Sequence, residues 1–145
     1  MINKKLERPV VIAVDGPAAS GKGTLSSRLA SYFNFARLDT GLIYRALSVK
    51  ILDDSTNPDD EQKVILLAET LSFDDLNQAD LRTEKVGVVA SRVAAISEVR
   101  QILLKFQRDF AAYPPGDKTG VVLDGRDIGT VVCPDADFKI FLRAD

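Results

Sequence analysis

With 145 residues, 46% of them apolar and 28% charged, the chain has the composition of one globular domain with its own core rather than of a disordered tail. A net charge of −2 provides no overall basic field and argues against nucleic acid as the main partner. The absence of histidine removes Ser-His-Asp triads, Cys-His dyads and histidine-ligated zinc, and the lone Cys133 leaves no internal disulfide. Acid, base and metal work would fall to carboxylates. With no signal peptide and no long apolar span, a cytoplasmic, reducing compartment and no membrane anchor are expected.

Met1 to Pro9 is a polar leader, and Val10 to Val14 is a continuous apolar run of the kind that forms a parallel strand covered on both faces. Gly16 to Thr24 follows at once, reading Gly-Pro-Ala-Ala-Ser-Gly-Lys-Gly-Thr. From Lys22 the spacing of Leu25, Leu29 and Phe33 predicts an amphipathic helix, after which Phe35 to Leu38 reads as a short strand. Asp39-Thr40-Gly41 is a turn, and helical periodicity resumes from Leu42 to Ile51 or Leu52. Arg45 falls near the start of that helix, where a cation opposes the helix dipole; it either holds an anion there or is a solvated surface arginine.

Asp53 to Glu61 carries five carboxylates around Pro58. A metal cluster is one reading, but a loop leading into a helix accounts for them better. Asn57 would cap, Pro58 would take the first helical position, and Val64, Leu67, Ala68 and Leu71 would form the buried stripe. Ser72 to Arg82 shows no period and is expected to be a loop with one short extended piece. Thr83 caps a helix with Val86, Val89, Ala90, Val93 and Ala94 inward. Ser97 caps another, with Val99, Ile102, Leu103, Phe106 and Phe110 inward, and Tyr113-Pro114-Pro115-Gly116 ends it. Gly120 to Asp124 is a second buried-type strand, Gly125-Arg126-Asp127 is the loop at its C-terminal end, and Phe138 to Leu142 is a further strand.

The chemistry concentrates in two loops. An apolar strand, then Gly16, Pro17, Ala18, Ala19, Ser20, Gly21, Lys22, Gly23 and Thr24, then a helix, is the arrangement of a phosphate loop: inward N–H groups, a lysine charge and a helix N-terminus converge on an anion. A structural glycine turn is the alternative. In open α/β sheets ligands lie beyond the carboxyl ends of the strands, so Gly125-Arg126-Asp127 should face the same crevice, unless it is a plain Asp-Gly turn.

Together, GPAASGKGT at 16 to 24, LDTGLIYR at 38 to 45, LRTEKV at 81 to 86, VASRVAAISEVR at 89 to 100 and DGRDIGTVVCPDADFKIFL at 124 to 142 resemble the bacterial cytidylate kinases, a branch of the nucleoside monophosphate kinases. The resemblance implies an α/β, P-loop NTPase-like parallel sheet with flanking helices and a helical monophosphate-binding insertion over 40–112, within a single kinase core over 1–145. It implies transfer of the γ-phosphoryl of ATP to CMP or dCMP with magnesium, by a monomer with no nucleic-acid or membrane partner. Alternatives are a catalytically silent nucleotide-binding fragment and a kinase for another nucleoside monophosphate. Relative to the family pattern the chain is C-terminally truncated, lacking an arginine-rich lid, and the strand-rich insertion between Leu71 and Arg82 is short.

Carried over position by position, the resemblance assigns Lys22 and the loop amides to the donor phosphates and Thr40, Arg45 and Arg126 to the acceptor phosphate. It assigns Ser91, Arg100 and Asp127 to the cytosine. A carboxylate there can accept from the exocyclic amine that uracil lacks, while an arginine and a hydroxyl serve the ring acceptors. Arg82 would order the site. Because a phosphate monoester is largely a dianion at neutral pH, no side-chain base is needed, and Lys22, Arg45 and Arg126 are the catalytic candidates through charge neutralisation. Gly23 stands where a standard loop has a metal-ligating Ser or Thr, so magnesium would be held by phosphates and water, with Asp124 helping from an outer shell.

Overall fold

The computed structural model describes residues 8–77 and 81–143. They fall into two compact units: the described residues up to Thr40 together with those from Phe106 onward, and Gly41–Lys105.

The first unit is built on a parallel sheet. Strand β1 is Val10–Asp15, β2 is Ala36–Asp39, β3 is Gly120–Gly125 and β4 is Phe138–Phe141, in the order β2-β3-β1-β4. β1 lies between β3 and β4, pairing Val14 with Asp124 and with Ile140. All of β3 is buried, Asp124 included, and in its apolar stretch Val121, Val122 and Leu123 are fully buried, each worth about 1.5–3 kcal/mol. Helix α1, Lys22–Phe33, covers one face, where Ile12, Val14, Val122 and Ala30 form a core with Leu25, Leu29 and Ile140 packed against it.

The inward stripe of α1 includes Leu25 and Leu29 as expected but not Phe33. Its buried residues are Ser26 and Ala30, while Phe33 is 47% exposed. The helix ends on Asn34 in the left-handed conformation, and Phe33 stacks on Phe35 with ring centroids 5.4 Å apart rather than entering the core. After β3 comes a single π turn, Ile128–Val132, which apolar periodicity alone does not announce. Its N–H groups converge backwards: Val131 and Val132 both donate to the Asp127 carbonyl, and Cys133 donates to that of Ile128.

The second unit is helical. It contains α2 (Ile43–Asp53), α3 (Glu61–Glu69), α4 (Glu84–Val93) and the first half of α5 (Ser97–Ala112). α2 packs against α3 and α4, and Ala46, Val49, Leu81 and Val86 form a core with Leu42, Leu52, Leu71 and Leu76. Helix α4 starts as expected, the Thr83 hydroxyl accepting from the Val86 N–H.

Two other helix starts move. α3 is capped by Asp60, which accepts from the Lys63 N–H, whereas Asn57 accepts from the Asp59 N–H in a turn ahead of it. Both residues are good caps, and Asp60 lies next to the stripe, placing Val64 and Ala68 inward. In α5, Ser97 is the first helical residue rather than the cap, and the Ile96 carbonyl accepts the first helical bond from Arg100. Between α3 and α4 a short 3₁₀ turn covers Phe73–Asn77; the extended piece expected within 72–82 is not seen among the described residues, and 78–80 lie outside them.

Candidate nucleotide-phosphate site

β1 delivers the phosphate loop to the C-terminal edge of the sheet. Gly21 (φ 86°) adopts the left-handed conformation at the N-cap of α1, where a side chain would be strained, and the helix starts at Lys22. The Lys22 ammonium folds back over the loop and donates to the carbonyls of Gly16 at 2.8 Å and Pro17 at 3.4 Å. The lysine and the start of α1 therefore meet over the loop, an arrangement suited to an anion.

Asp15 anchors this loop to the one after β3. Its buried carboxylate accepts from the N–H groups of Ile128 at 2.8 Å and Gly129 at 2.9 Å, its carbonyl accepts from Leu142, and the Gly16 N–H donates to the Gly125 carbonyl. A cavity of about 220 Å³ results, lined by Asp15, Gly16, Arg126, Asp127, Thr130 and Phe141. Arg126 and Asp127 are exposed, and Asp127 holds φ 60°, a sparsely populated conformation for a residue with a side chain. The structure thus brings Gly16, Arg126 and Asp127 together. A larger cleft of about 640 Å³, bordered by Arg8, Val11, Arg108 and Cys133, lies toward the opposite, N-terminal end of β1, away from the edge where open α/β sheets bind ligands.

Thr40, at the end of β2, donates its hydroxyl to the Asp124 carbonyl at 2.9 Å. Asp124 is itself buried, and Arg37 on β2 donates through Nε to its carboxylate at 2.8 Å. Burial pushes the Asp124 carboxyl above the usual carboxylate range, and Arg37 pulls it partly back.

In the helical unit Arg45 is half-buried and donates to the carbonyls of Leu81 at 2.9 Å and Thr83 at 3.3 Å. It is not the solvated arginine that helix position alone allowed. Its guanidinium passes beside Gly87, where an added Cβ would lie 3.1 Å from Nη2. Ser91 is exposed one helical turn further along α4, on the same face as Gly87. Arg100 donates to the Ala94 carbonyl at the end of α4 and lowers the pKa of Tyr44, whose phenol is nonetheless pushed up by burial. Arg82 is exposed and has an interaction within the chain. Among the carboxylates of 53–61, Asp54 accepts from Thr56, Asp59 pairs with Arg92 and Asp60 caps α3.

Asp15, Arg37 and Tyr44 were not singled out by sequence reasoning. Asp15 could have been, as a carboxylate closing an apolar strand directly before a phosphate loop. Arg37 gave no local signal, because its partner is 87 residues away.

Magnesium prefers oxygen ligands in a near-octahedral shell and usually keeps several waters. Both Asp15 oxygens are taken by backbone N–H groups, Asp124 is paired with Arg37, residue 23 is glycine, and no group of three or more acidic, cysteine or histidine side chains gathers among the described residues. This set fits a magnesium ion carried on phosphate oxygens and water, with the chain gripping the phosphates.

A strand-loop-helix phosphate grip at the carboxyl edge of a parallel sheet defines a P-loop NTPase-like, nucleotide-phosphate-binding fold. Comparison with known proteins narrows this: the family description for cytidylate kinase matches residues 12–145, and the chain belongs to that family. It is similar to proteins named cytidylate kinase from Rhodopseudomonas palustris strain BisB18 (52% identity, covering 94% of this chain and 62% of the relative), Acidiphilium cryptum strain JF-5 (54%, 96% and 63%) and Paramagnetospirillum magneticum strain AMB-1 (55%, 92% and 63%). The chain thus spans about 62% of the length of the curated relatives it matches.

Proposed function

We propose that the chain carries the donor and acceptor sites of a nucleotide kinase that moves the γ-phosphoryl of ATP to CMP or dCMP, giving CDP or dCDP. The observation that carries this is the Lys22 grip on a loop tied by Asp15 to the loop of Arg126 and Asp127, in a chain of this family. Gly16 to Thr24 would hold the donor phosphates, Lys22 exchanging its carbonyl partners for phosphate oxygens. Thr40, Arg45 and Arg126 would hold the acceptor phosphate, and Ser91, Arg100 and Asp127 the cytosine. On this reading 40–112 is the monophosphate-binding subregion, and the chain works as a cytoplasmic monomer on free nucleotides without nucleic acid. No described helix is long and apolar enough to cross a membrane.

The catalytic problem is the mutual repulsion of two anionic phosphates, and cations that hold them in line address it. Magnesium, when bound to ATP, adds neutralisation of the developing charge. Lys22 and Arg126 sit at the loop edge; neither has to gain or lose a proton for the reaction. The test is ADP formation from ATP and CMP by this chain, with Lys22→Ala as control. CMP-dependent turnover well above the control is expected; turnover no better than the control refutes the kinase reading for this chain.

A further inference from the structure

Two groups that a standard phosphate loop devotes to magnesium are altered in one place. Such a loop follows its lysine with a metal-ligating Ser or Thr and works with a carboxylate from a neighbouring strand. Here Gly23 follows Lys22, and Asp124, near the end of β3, is clamped by Arg37 at 2.8 Å with side chains only 2% and 28% exposed. The same guanidinium runs alongside the first turn of α1: a Cβ added to Gly23 would lie 3.4 Å from Arg37 Nη2. One fixed cation therefore borders the space into which residue 23 would project and also occupies the carboxylate.

Building on the nucleotide reading above, we propose that Arg37 is a positioning residue of the donor site: it fills the metal side of the loop, keeps Asp124 engaged, and so weakens the dependence of ATP binding on magnesium. A guanidinium suits this double task, since its planar fork can keep Nε on a carboxylate while the Nη groups face elsewhere. A buried carboxylate without that partner would be strongly unfavourable, so the pair is held together and Asp124 is not at the disposal of metal-bound water. Without the arginine, Asp124 is released toward the metal and a repelling charge is removed; both changes favour magnesium.

The experiment is calorimetric ATP binding to the full 145-residue chain in EDTA and in saturating magnesium, the ratio of the two Kd values being the magnesium coupling. Arg37→Gln should raise the ratio about tenfold, equivalent to roughly 1.4 kcal/mol of charge interaction. Arg37→Lys, which keeps the charge, should stay within about threefold of the parent. An unchanged ratio in folded Arg37→Gln overturns the proposal. Should that variant fail to fold, the paired substitution Arg37→Gln with Asp124→Asn decides, because it replaces the buried ion pair by a neutral one. With both charges removed together the ratio should change less than about twofold, and a fall of about fivefold or more would show the carboxylate serving the metal despite Arg37. No ATP binding by the parent in either condition would refute the nucleotide reading itself and the inference with it.

Discussion

The hydroxyl of Thr40 donates to the main-chain carbonyl of Asp124 at 2.9 Å, joining the residue after β2 to the end of β3. Beside it a Cβ added to Gly125 would lie 2.0 Å from Thr40 Oγ1, so the Thr40 side chain sits against the Gly125 backbone where only glycine fits. Thr40→Val should lower stability by about 1 kcal/mol, the net worth of one hydrogen bond, in urea denaturation. Thr40→Ser should retain most of it. A loss in Thr40→Ser with none in Thr40→Val would show that the methyl group, not the hydroxyl, matters.

Asp15→Asn should be more costly. The carboxylate accepts two N–H bonds in a buried site, and an amide offers one acceptor and turns its NH₂ toward a donor. A loss of about 2–4 kcal/mol is expected from the broken charged hydrogen bond and the donor left unmet. Amide hydrogen exchange at Ile128 and Gly129 should accelerate in the same variant; unchanged protection there would count against this account.

Arg45→Ala and Arg126→Ala should separate binding from stability. Both should weaken CMP binding, while ATP binding by calorimetry stays nearly intact. Only Arg45→Ala should also lower the denaturation midpoint, because it removes the hydrogen bonds to the Leu81 and Thr83 carbonyls, the second of which keeps the Gly87 N–H, whereas Arg126 is exposed. A matched loss of ATP and CMP affinity would argue against the acceptor assignment.

The acid limb of stability should carry a contribution from Asp137. Its carboxylate receives both arms of Arg8, at 2.7 and 3.0 Å, and the Val11 N–H at 2.8 Å. The Arg8 hydrogen bond and then the Val11 N–H hold it below the usual carboxylate range. A depressed folded pKa stabilises above the unfolded value, and that benefit disappears as pH falls through the folded one. Thermal melts between neutral pH and the carboxylate range should therefore drop less steeply for Asp137→Asn. Salt should narrow the difference, because the Arg8 side chain is 66% exposed.

The parts of the fold written locally were readable from the sequence. β1 and β3 are built on the apolar runs 10–14 and 121–123, the phosphate loop has its glycines, and Thr83 stands directly before the helical pattern of α4. Where two signals competed, position slipped: Asn57 and Asp60 are equally good caps, and only packing of Val64 and Ala68 chooses between them. The π turn after Asp127 was invisible because its bonds converge on one carbonyl instead of following an apolar period. Most of the phosphate loop was legible. Arg37 was not, since a strand arginine looks the same whether it faces water or a carboxylate far along the chain.

The tie from Asp15 to Ile128 and Gly129 spans 113 and 114 residues. Such contacts form late, since the entropy of closing so long a loop must be met before they return anything. Residue 15 leaves the ribosome early, yet its carboxylate has no mate until residues 128 and 129 have followed and β3 has docked beside β1. We therefore expect the anion grip to be among the first stretches synthesised and among the last to acquire its final shape, with the nascent chain unable to hold nucleotide until then. Pulse-labelled hydrogen exchange during refolding would record this as protection at 128 and 129 appearing after that of the locally bonded α1 amides.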